Sequence, residues 1–228
     1  MDDKADIARM RARVTAVIPC YNVGDRVRPV VEQTRAELER VIVVDDGCTD
    51  GCVVGLEDLG ATFVHFPHNR GKGHALIAGL RKALEDADTE AVCVLDADGQ
   101  HDPTEIPHFL DAFARASADL VMGTRVFEKT EAPWPSRLGN KITAACMARL
   151  LGQGLPDTQC GFRLLSRRFA QGVLDTVAGG RYETETEIVV KALREGYRLA
   201  TVPIRTIYEP GNPASHFHKL RDSFLGYA

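Results

Sequence analysis

This 228-residue chain has one tryptophan, six cysteines without a C-x-x-C pair, no excess of positive charge, and no run of about 18 apolar residues. Each scarcity removes a class of protein. Cys20 and Cys93 fall inside or beside apolar segments, and Cys48, Cys52, Cys146 and Cys160 lie elsewhere. Reduced, mostly buried thiols are therefore expected rather than disulfides or a zinc site. A formal net charge of −4 argues against a nucleic-acid partner held by broad electrostatics. Without a long apolar run, nothing is expected to span a bilayer. Residues 1–13 are charged and lack the apolar core of a secretory signal. The expected setting is cytoplasmic, with peripheral contact at the inner face of a membrane left open. Internal repeats and low-complexity segments are also missing, which favours one domain over residues 1–228.

With 44% hydrophobic and 26% charged residues, the composition is that of an ordinary globular domain with a core of its own. Strand-like and helix-like segments alternate. Strands are expected at 14–19, 41–45, 62–66, 91–96, 120–123, 161–165 and 199–207, the last an edge strand carrying Pro203. Helices are expected at 25–40, 50–59, 73–87, 103–116, 136–151 and 185–195, with a loop over 127–136. The implied class is α/β: a mixed, mainly parallel sheet with helices on both faces.

Two acidic strand ends carry the chemistry. Asp45-Asp46-Gly47 and Asp96-Ala97-Asp98-Gly99-Gln100 each follow a β-branched and aliphatic run. That pattern reads as buried parallel strands opening into loops at the carboxyl edge, where open α/β sheets bind ligands. If strand parity continues through the second motif, Asp96 and Asp98 point to one side and share a hard divalent cation. The plainer alternative is that these aspartates are turn residues bonding their own backbone.

Six segments then occur in order: Ile18-Pro19-Cys20-Tyr21-Asn22, Asp45-Asp46-Gly47-Cys48-Thr49-Asp50, Asn69-Arg70-Gly71-Lys72-Gly73, Asp96-Ala97-Asp98-Gly99-Gln100, Gly123-Thr124-Arg125 and Asp157-Thr158-Gln159-Cys160-Gly161-Phe162-Arg163. On these the chain resembles the family 2 glycosyltransferases of GT-A fold, most closely the polyprenyl-phosphate (dolichyl-phosphate) mannose and glucose synthases. The resemblance implies a nucleotide-sugar donor (a UDP- or GDP-hexose), a polyprenyl phosphate acceptor and inversion at the anomeric carbon. It implies a donor-binding half over about 14–125 and an acceptor-binding half over about 126–228. Pro19, Tyr21, Asn22, Asp45 and Asp46 would surround the base and ribose, and Arg70 and Lys72 the diphosphate. Asp96, Asp98 and Gln100 would hold Mg²⁺ or Mn²⁺, with Asp98 the principal ligand. Asp98, Arg125 and Arg137 would be the catalytic set.

The residues agree in kind with that assignment. Glycines around Arg70 and Lys72 permit close backbone approach to an anion at a helix start. The missing Ser or Thr after Lys72 excludes a nucleotide-hydrolysing P-loop. A phosphate acceptor is already largely ionised near neutral pH, with a second pKa of about 6, and attacks without a protein base. Cations that position two phosphates then matter more, and the second half offers Arg125, Arg137, Lys141, Arg163 and Lys219. Arg163 is read equally as holding the sheet edge, and His101 as structural more than metal-ligating. Glu183, Glu185 and Glu187 stay open as a base for a hydroxyl acceptor, as sugar contacts or as helix caps. Leu138, Ile142, Cys146 and Leu150, near Trp134, form an apolar stripe suited either to packed core or to a membrane surface.

Near Ser215 the synthases' usual arginine is absent, and His216, His218 and Lys219 follow instead. The chain ends at Ala228 without the transmembrane helices some relatives carry, so membrane access through lipid contact or through a membrane partner subunit is a further expectation. Two other readings stand beside the main one: the same donor chemistry with a hydroxyl acceptor, and a catalytically silent nucleotide-sugar-binding subunit.

Overall fold

A computed structural model describes residues 9–125, 160–181, 183–205 and 207. The expected loop at 127–136, the helix at 136–151, Arg137, Lys141, the 157–159 motif residues and His216, His218 and Lys219 lie outside the described residues. Seven strands form one sheet: β1 (Val14–Cys20), β2 (Arg40–Asp45), β3 (Thr62–His65), β4 (Ala91–Val94), β5 (Leu120–Arg125), β6 (Arg163–Ser166) and β7 (Leu199–Ile204). Their order is β3-β2-β1-β4-β6-β5-β7. All pairings are parallel except those of β6, which runs antiparallel to both β4 and β5.

The described α-helices are α1 (Val27–Glu37), α2 (Lys72–Leu84), α3 (Ile106–Ala116), α4 (Arg167–Thr176) and α5 (Glu183–Arg194). The alternation within β1 explains the two layers. Val14, Ala16 and Ile18 pack with Val30 and Val31 of α1 and Phe109 and Leu110 of α3. Val17 faces the other way, toward Leu76 and Leu80 of α2, Phe169 of α4 and Ile188 of α5. Strands buried on both faces must be apolar throughout, and β1 is buried at every position.

One expectation is corrected. Residues 50–59 do not form a helix; only a single 3₁₀ turn occurs, at Glu57–Leu59. Gly51 and Gly55 adopt φ of +75°, and the Asp50 carboxylate accepts hydrogen bonds from the backbone N–H of Cys52 and Gly24. Both features offer the backbone an alternative to helical bonding. The strand expected at 161–165 is observed as β6, which inserts between β4 and β5, so the one sheet takes strands from both sides of residue 125.

β6 also fixes the polarity of the far side. Because β4 and β5 are each antiparallel to β6, they run parallel to one another. The ends of β1, β2, β4 and β5 and the start of β6 therefore share one edge. Between β1 and β4 the order turns from one direction to the other, a topological switch point at which open α/β sheets form ligand crevices.

Pro19 shows the sheet opening there. Leu95 N–H donates to Val17 O, and Asp46 N–H donates to Cys20 O on the β2 side. Alternation puts the Pro19 nitrogen on the β4 side, past the last β1–β4 pair at Val17 and Val94. A residue without an N–H is tolerated in this central strand because no ladder partner remains to lose.

Candidate functional site

The β1 and β2 ends form one wall of the crevice. Asp45 ends β2, with Oδ1 accepting Cys48 N–H at 2.7 Å and Oδ2 3.1 Å from His65 Nδ1. Burial opposes its charge, but the hydrogen bonds from Cys48 and His65 prevail and hold Asp45 below the usual carboxylate range. Asn22 takes a left-handed conformation at φ +48°. Its side chain clasps Thr49, with Oδ1 accepting the Thr49 N–H at 2.8 Å. Tyr21 stands exposed beside it.

Asp46, next to Asp45, holds the neighbouring loop in place. Its carboxylate accepts from Asn69 Nδ2 at 2.8 Å, Arg70 N at 2.7 Å and Gly71 N at 2.9 Å. Both oxygens are thus occupied in folding the 69–71 loop, and Asp46 is a positioning residue. The loop makes Gly47 obligatory, because a Cβ there, already strained at φ +74°, would fall 2.4 Å from the His68 carbonyl carbon. Arg70 lays its guanidinium over Phe66, 4.9 Å from the ring centroid.

Beyond the loop begins α2, with Lys72 as its first residue. Lys72 Nζ lies 2.6 Å from Asp96 Oδ1 and 2.9 Å from Glu185 Oε1. The two acids outweigh the burial that opposes its charge and raise the Lys72 pKa. Burial alone would raise Asp96, but the charge of Lys72 above all overcomes it and holds that carboxylate at about 2. Asp98 is raised instead, first by burial and then by the charge of Asp96. Two carboxylates placed so closely, one of them destabilised by the other, favour a cation.

β4 pairing stops at Val94, so Asp96 and Asp98 lie past the ladder; both are half-buried, while Ala97 between them is packed into the core. Asp98 Oδ1 accepts Gln100 N–H at 3.0 Å, which fixes its carboxylate in the turn. Asp96 N–H donates to His101 Nδ1 at 3.4 Å, and His101 Nε2 faces Cys160 Sγ at 3.8 Å. His101 is thereby used on both ring nitrogens, consistent with its structural reading. Asp96 Oδ1 is sealed from solvent and, among the described residues, accepts no hydrogen bond of good geometry, although it is ion-paired with Lys72. Two charge-coupled carboxylates offering only oxygen donors fit a hard divalent ion. Asp96, Asp98 and Gln100 are the residues that would hold it.

The opposite wall comes from β6 and α5. Arg163 is buried, donating from Nε to Cys160 O at 2.9 Å and from Nη1 to Glu185 O at 2.7 Å. Of the two readings of Arg163, these contacts match the one in which it holds the sheet edge, pinning the first turn of α5. That turn separates the three glutamates. Glu183 is exposed and accepts the Arg181 N–H at 2.9 Å, Glu187 is exposed, and Glu185 is buried against Lys72. The sequence reading left the three open. A stronger pattern was present, since Glu185 sits three and four residues before the inward Ile188 and Val189 and so shares the buried face of α5. Arg125 closes β5 at the same sheet edge and is partly exposed.

Gly161 is the other residue whose role was not legible. A Cβ there would lie 2.5 Å from Asp96 Oδ2, so the bare backbone forms the floor under that carboxylate. Gly161→Ala is expected to displace Asp96, lowering the transfer rate at least about 10-fold at a stability cost of about 1–3 kcal/mol. Parallel rate measurements and denaturant unfolding would check this. An unchanged rate would show that the Asp96 position is not critical.

Acidic strand ends at a switch point, a glycine-bracketed cationic loop opening a helix and an antiparallel strand wedged beside β4 together define a GT-A-type glycosyltransferase architecture. The model of the family described as Glycosyl transferase family 2 matches residues 15–174. The polyprenol monophosphomannose synthase of Mycolicibacterium smegmatis is 32% identical, covering 89% of this chain and 80% of its own length. The UDP-N-acetylglucosamine–dolichyl-phosphate N-acetylglucosaminyltransferase of Methanococcus voltae is 28% identical, covering 84% of each chain. Among solved structures, glucosyl-3-phosphoglycerate synthase from Mycobacterium tuberculosis, in complex with Mn²⁺, UDP and glucosyl-3-phosphoglycerate, superposes with a TM-score of 0.70. It is 19% identical, and the match covers 92% of this chain and 77% of that one. The chain belongs to glycosyl transferase family 2, and it is a glycosyltransferase. Among its described residues, no helix is long and apolar enough to cross a membrane.

Proposed function

We propose that this enzyme is a single-domain, inverting, divalent-metal-dependent transferase that moves a hexose from a UDP- or GDP-linked donor to a polyprenyl phosphate. The observation that carries the reading is the meeting of Lys72, which follows the 69–71 loop, with Asp96, itself charge-coupled to Asp98, near the β1/β4 switch point. Support for the donor class comes from the solved neighbour that binds Mn²⁺ and UDP. Support for the acceptor comes from relatives named for polyprenol and dolichyl phosphates.

In this reading Pro19, Tyr21, Asn22 and Asp45 line the base and ribose side. Asp46 holds the loop that presents Arg70 to the diphosphate, and Lys72 supplies a second cation on the α2 side. Asp96, Asp98 and Gln100 hold Mg²⁺ or Mn²⁺, which when bound stabilises charge on the leaving nucleoside diphosphate as a Lewis acid. Arg125 and Arg137 orient the acceptor phosphate, whose ionised oxygen attacks opposite the leaving group, so the anomeric configuration inverts. The enzyme acts peripherally at the cytoplasmic face of a membrane, where a lipid acceptor presents its phosphate.

A second reading is favoured by one observation: Glu185 is 2.9 Å from Lys72 at the same acidic site, where a hydroxyl acceptor would need a base. Glu185→Gln separates the two. With polyprenyl phosphate as acceptor, the rate is expected to stay within about threefold of the parent, because no proton must be removed. A loss of about 10²-fold or more with donor affinity unchanged would favour the base and a hydroxyl acceptor. Sugar transfer by the purified chain excludes a silent binding subunit.

A further inference from the structure

Outside the acidic site, the described residues contain one group of three metal-ligating side chains: Cys20, Cys48 and Cys52. Cys20 ends β1 and is anchored in the core, whereas Cys48 and Cys52 sit half-buried on the turn that follows β2. All three are free thiols. Sγ of Cys20 lies 3.6 Å from that of Cys52 and 4.0 Å from that of Cys48, and all three sulfurs fall within 4.8 Å of one another. At a metal–sulfur bond of about 2.3 Å, thiolates around one ion stand about 3.8 Å apart in tetrahedral and about 4.0 Å apart in trigonal geometry. The observed spacings bracket those values before any ion is present.

We propose that Cys20, Cys48 and Cys52 form a three-thiolate site for a thiophilic cation such as Zn²⁺, separate from the oxygen site at Asp96 and Asp98. This reverses the expectation of reduced, buried thiols without a zinc site: Cys48 and Cys52 form a C-x-x-x-C pair, and the third ligand comes from the neighbouring strand. The parallel register of β1 and β2 places Cys20 beside Asp45, three residues before Cys48.

The turn is held for this arrangement from outside the sulfurs. Cys48 N–H donates to Asp45 Oδ1 at 2.7 Å and Cys52 N–H to Asp50 Oδ1 at 3.1 Å, so two carboxylates orient the ligand backbone and bring negative charge near a cation. Soft thiolates select zinc-like ions over Mg²⁺ and Mn²⁺. A disulfide would satisfy only two of the three sulfurs. The partial exposure of Cys48 and Cys52 leaves a fourth position to solvent. An ion there ties the end of β1 to the 47–52 turn, which also carries the Asn22–Thr49 clasp.

The site stands whether or not the donor assignment holds, and its test does not depend on activity. The reduced full chain, in excess Mg²⁺ to fill oxygen sites, is titrated with Cd²⁺ while thiolate-to-metal ultraviolet absorption is followed. One equivalent is expected to saturate the band, Zn²⁺ to displace it, and Zn²⁺ to raise the melting temperature. Cys48→Ser and Cys52→Ser should each weaken Cd²⁺ binding at least about 10-fold, whereas Asp98→Asn should leave it intact. A band that persists in the double serine variant would overturn the proposal. If those variants fail to fold, alkylation of the parent read by mass spectrometry replaces them. Zn²⁺ protection of Cys48 and Cys52 supports the site, and unchanged labelling refutes it.

Discussion

Replacing Asp98 with asparagine is expected to lower sugar transfer by about 10²–10³-fold, the size seen when one preorganised electrostatic contact to a developing charge is removed. The fold should survive. Asp98 is raised by burial and by the charge of Asp96, so neutralising it relieves a repulsion. The asparagine carbonyl can still accept the Gln100 N–H that Asp98 Oδ1 now accepts at 3.0 Å. The expected result is therefore a rate loss with unfolding midpoint equal to or slightly above the parent. A variant that unfolds earlier would mean that Asp98 is structural, and an unchanged rate would remove it from the catalytic set.

The largest stability effect is expected at Lys72. Lys72→Met leaves Asp96 and Glu185 partly buried without their shared cation, and breaking such a pair costs about 3 kcal/mol or more. Acid then acts on the two proteins with opposite sign. In the parent, Asp96 is depressed to about 2 from an ordinary value of 3.8, so its contribution is present above about pH 4 and lost as pH falls toward 2. In the variant, burial is no longer offset by Lys72, and the Asp96 pKa rises. Its penalty is largest near neutrality and relieved as pH falls through that raised value. Urea unfolding at pH 7 and pH 4.5 should show the gap between the two narrowing on acidification. A gap independent of pH would mean that Lys72 acts through packing rather than charge.

Much of this was written in local sequence pattern. The strand runs ending in Asp45 and near Asp96 gave the acidic edge because buried parallel strands must be continuously apolar, and their polar ends mark where the sheet meets solvent. What the sequence hid was decided by contacts between distant segments. β6 reads as a short strand, and nothing local says that it pairs antiparallel between β4 and β5. Asp46 looks like Asp45 until the 69–71 loop folds onto it. Gly161 is an ordinary motif glycine until Asp96 is found against its Cα. The helix expected at 50–59 failed for a local reason, since Asp50 and two left-handed glycines outcompete helical bonding.

The central claim is a nucleotide-sugar site built on Asp96 and Asp98, and calorimetric titration of UDP and GDP, each with and without Mn²⁺, tests it most directly. One of the two nucleotides should bind the parent protein in a Mn²⁺-dependent manner, and Asp98→Asn should lose that dependence. Failure of both nucleotides to bind under either condition would contradict the donor assignment.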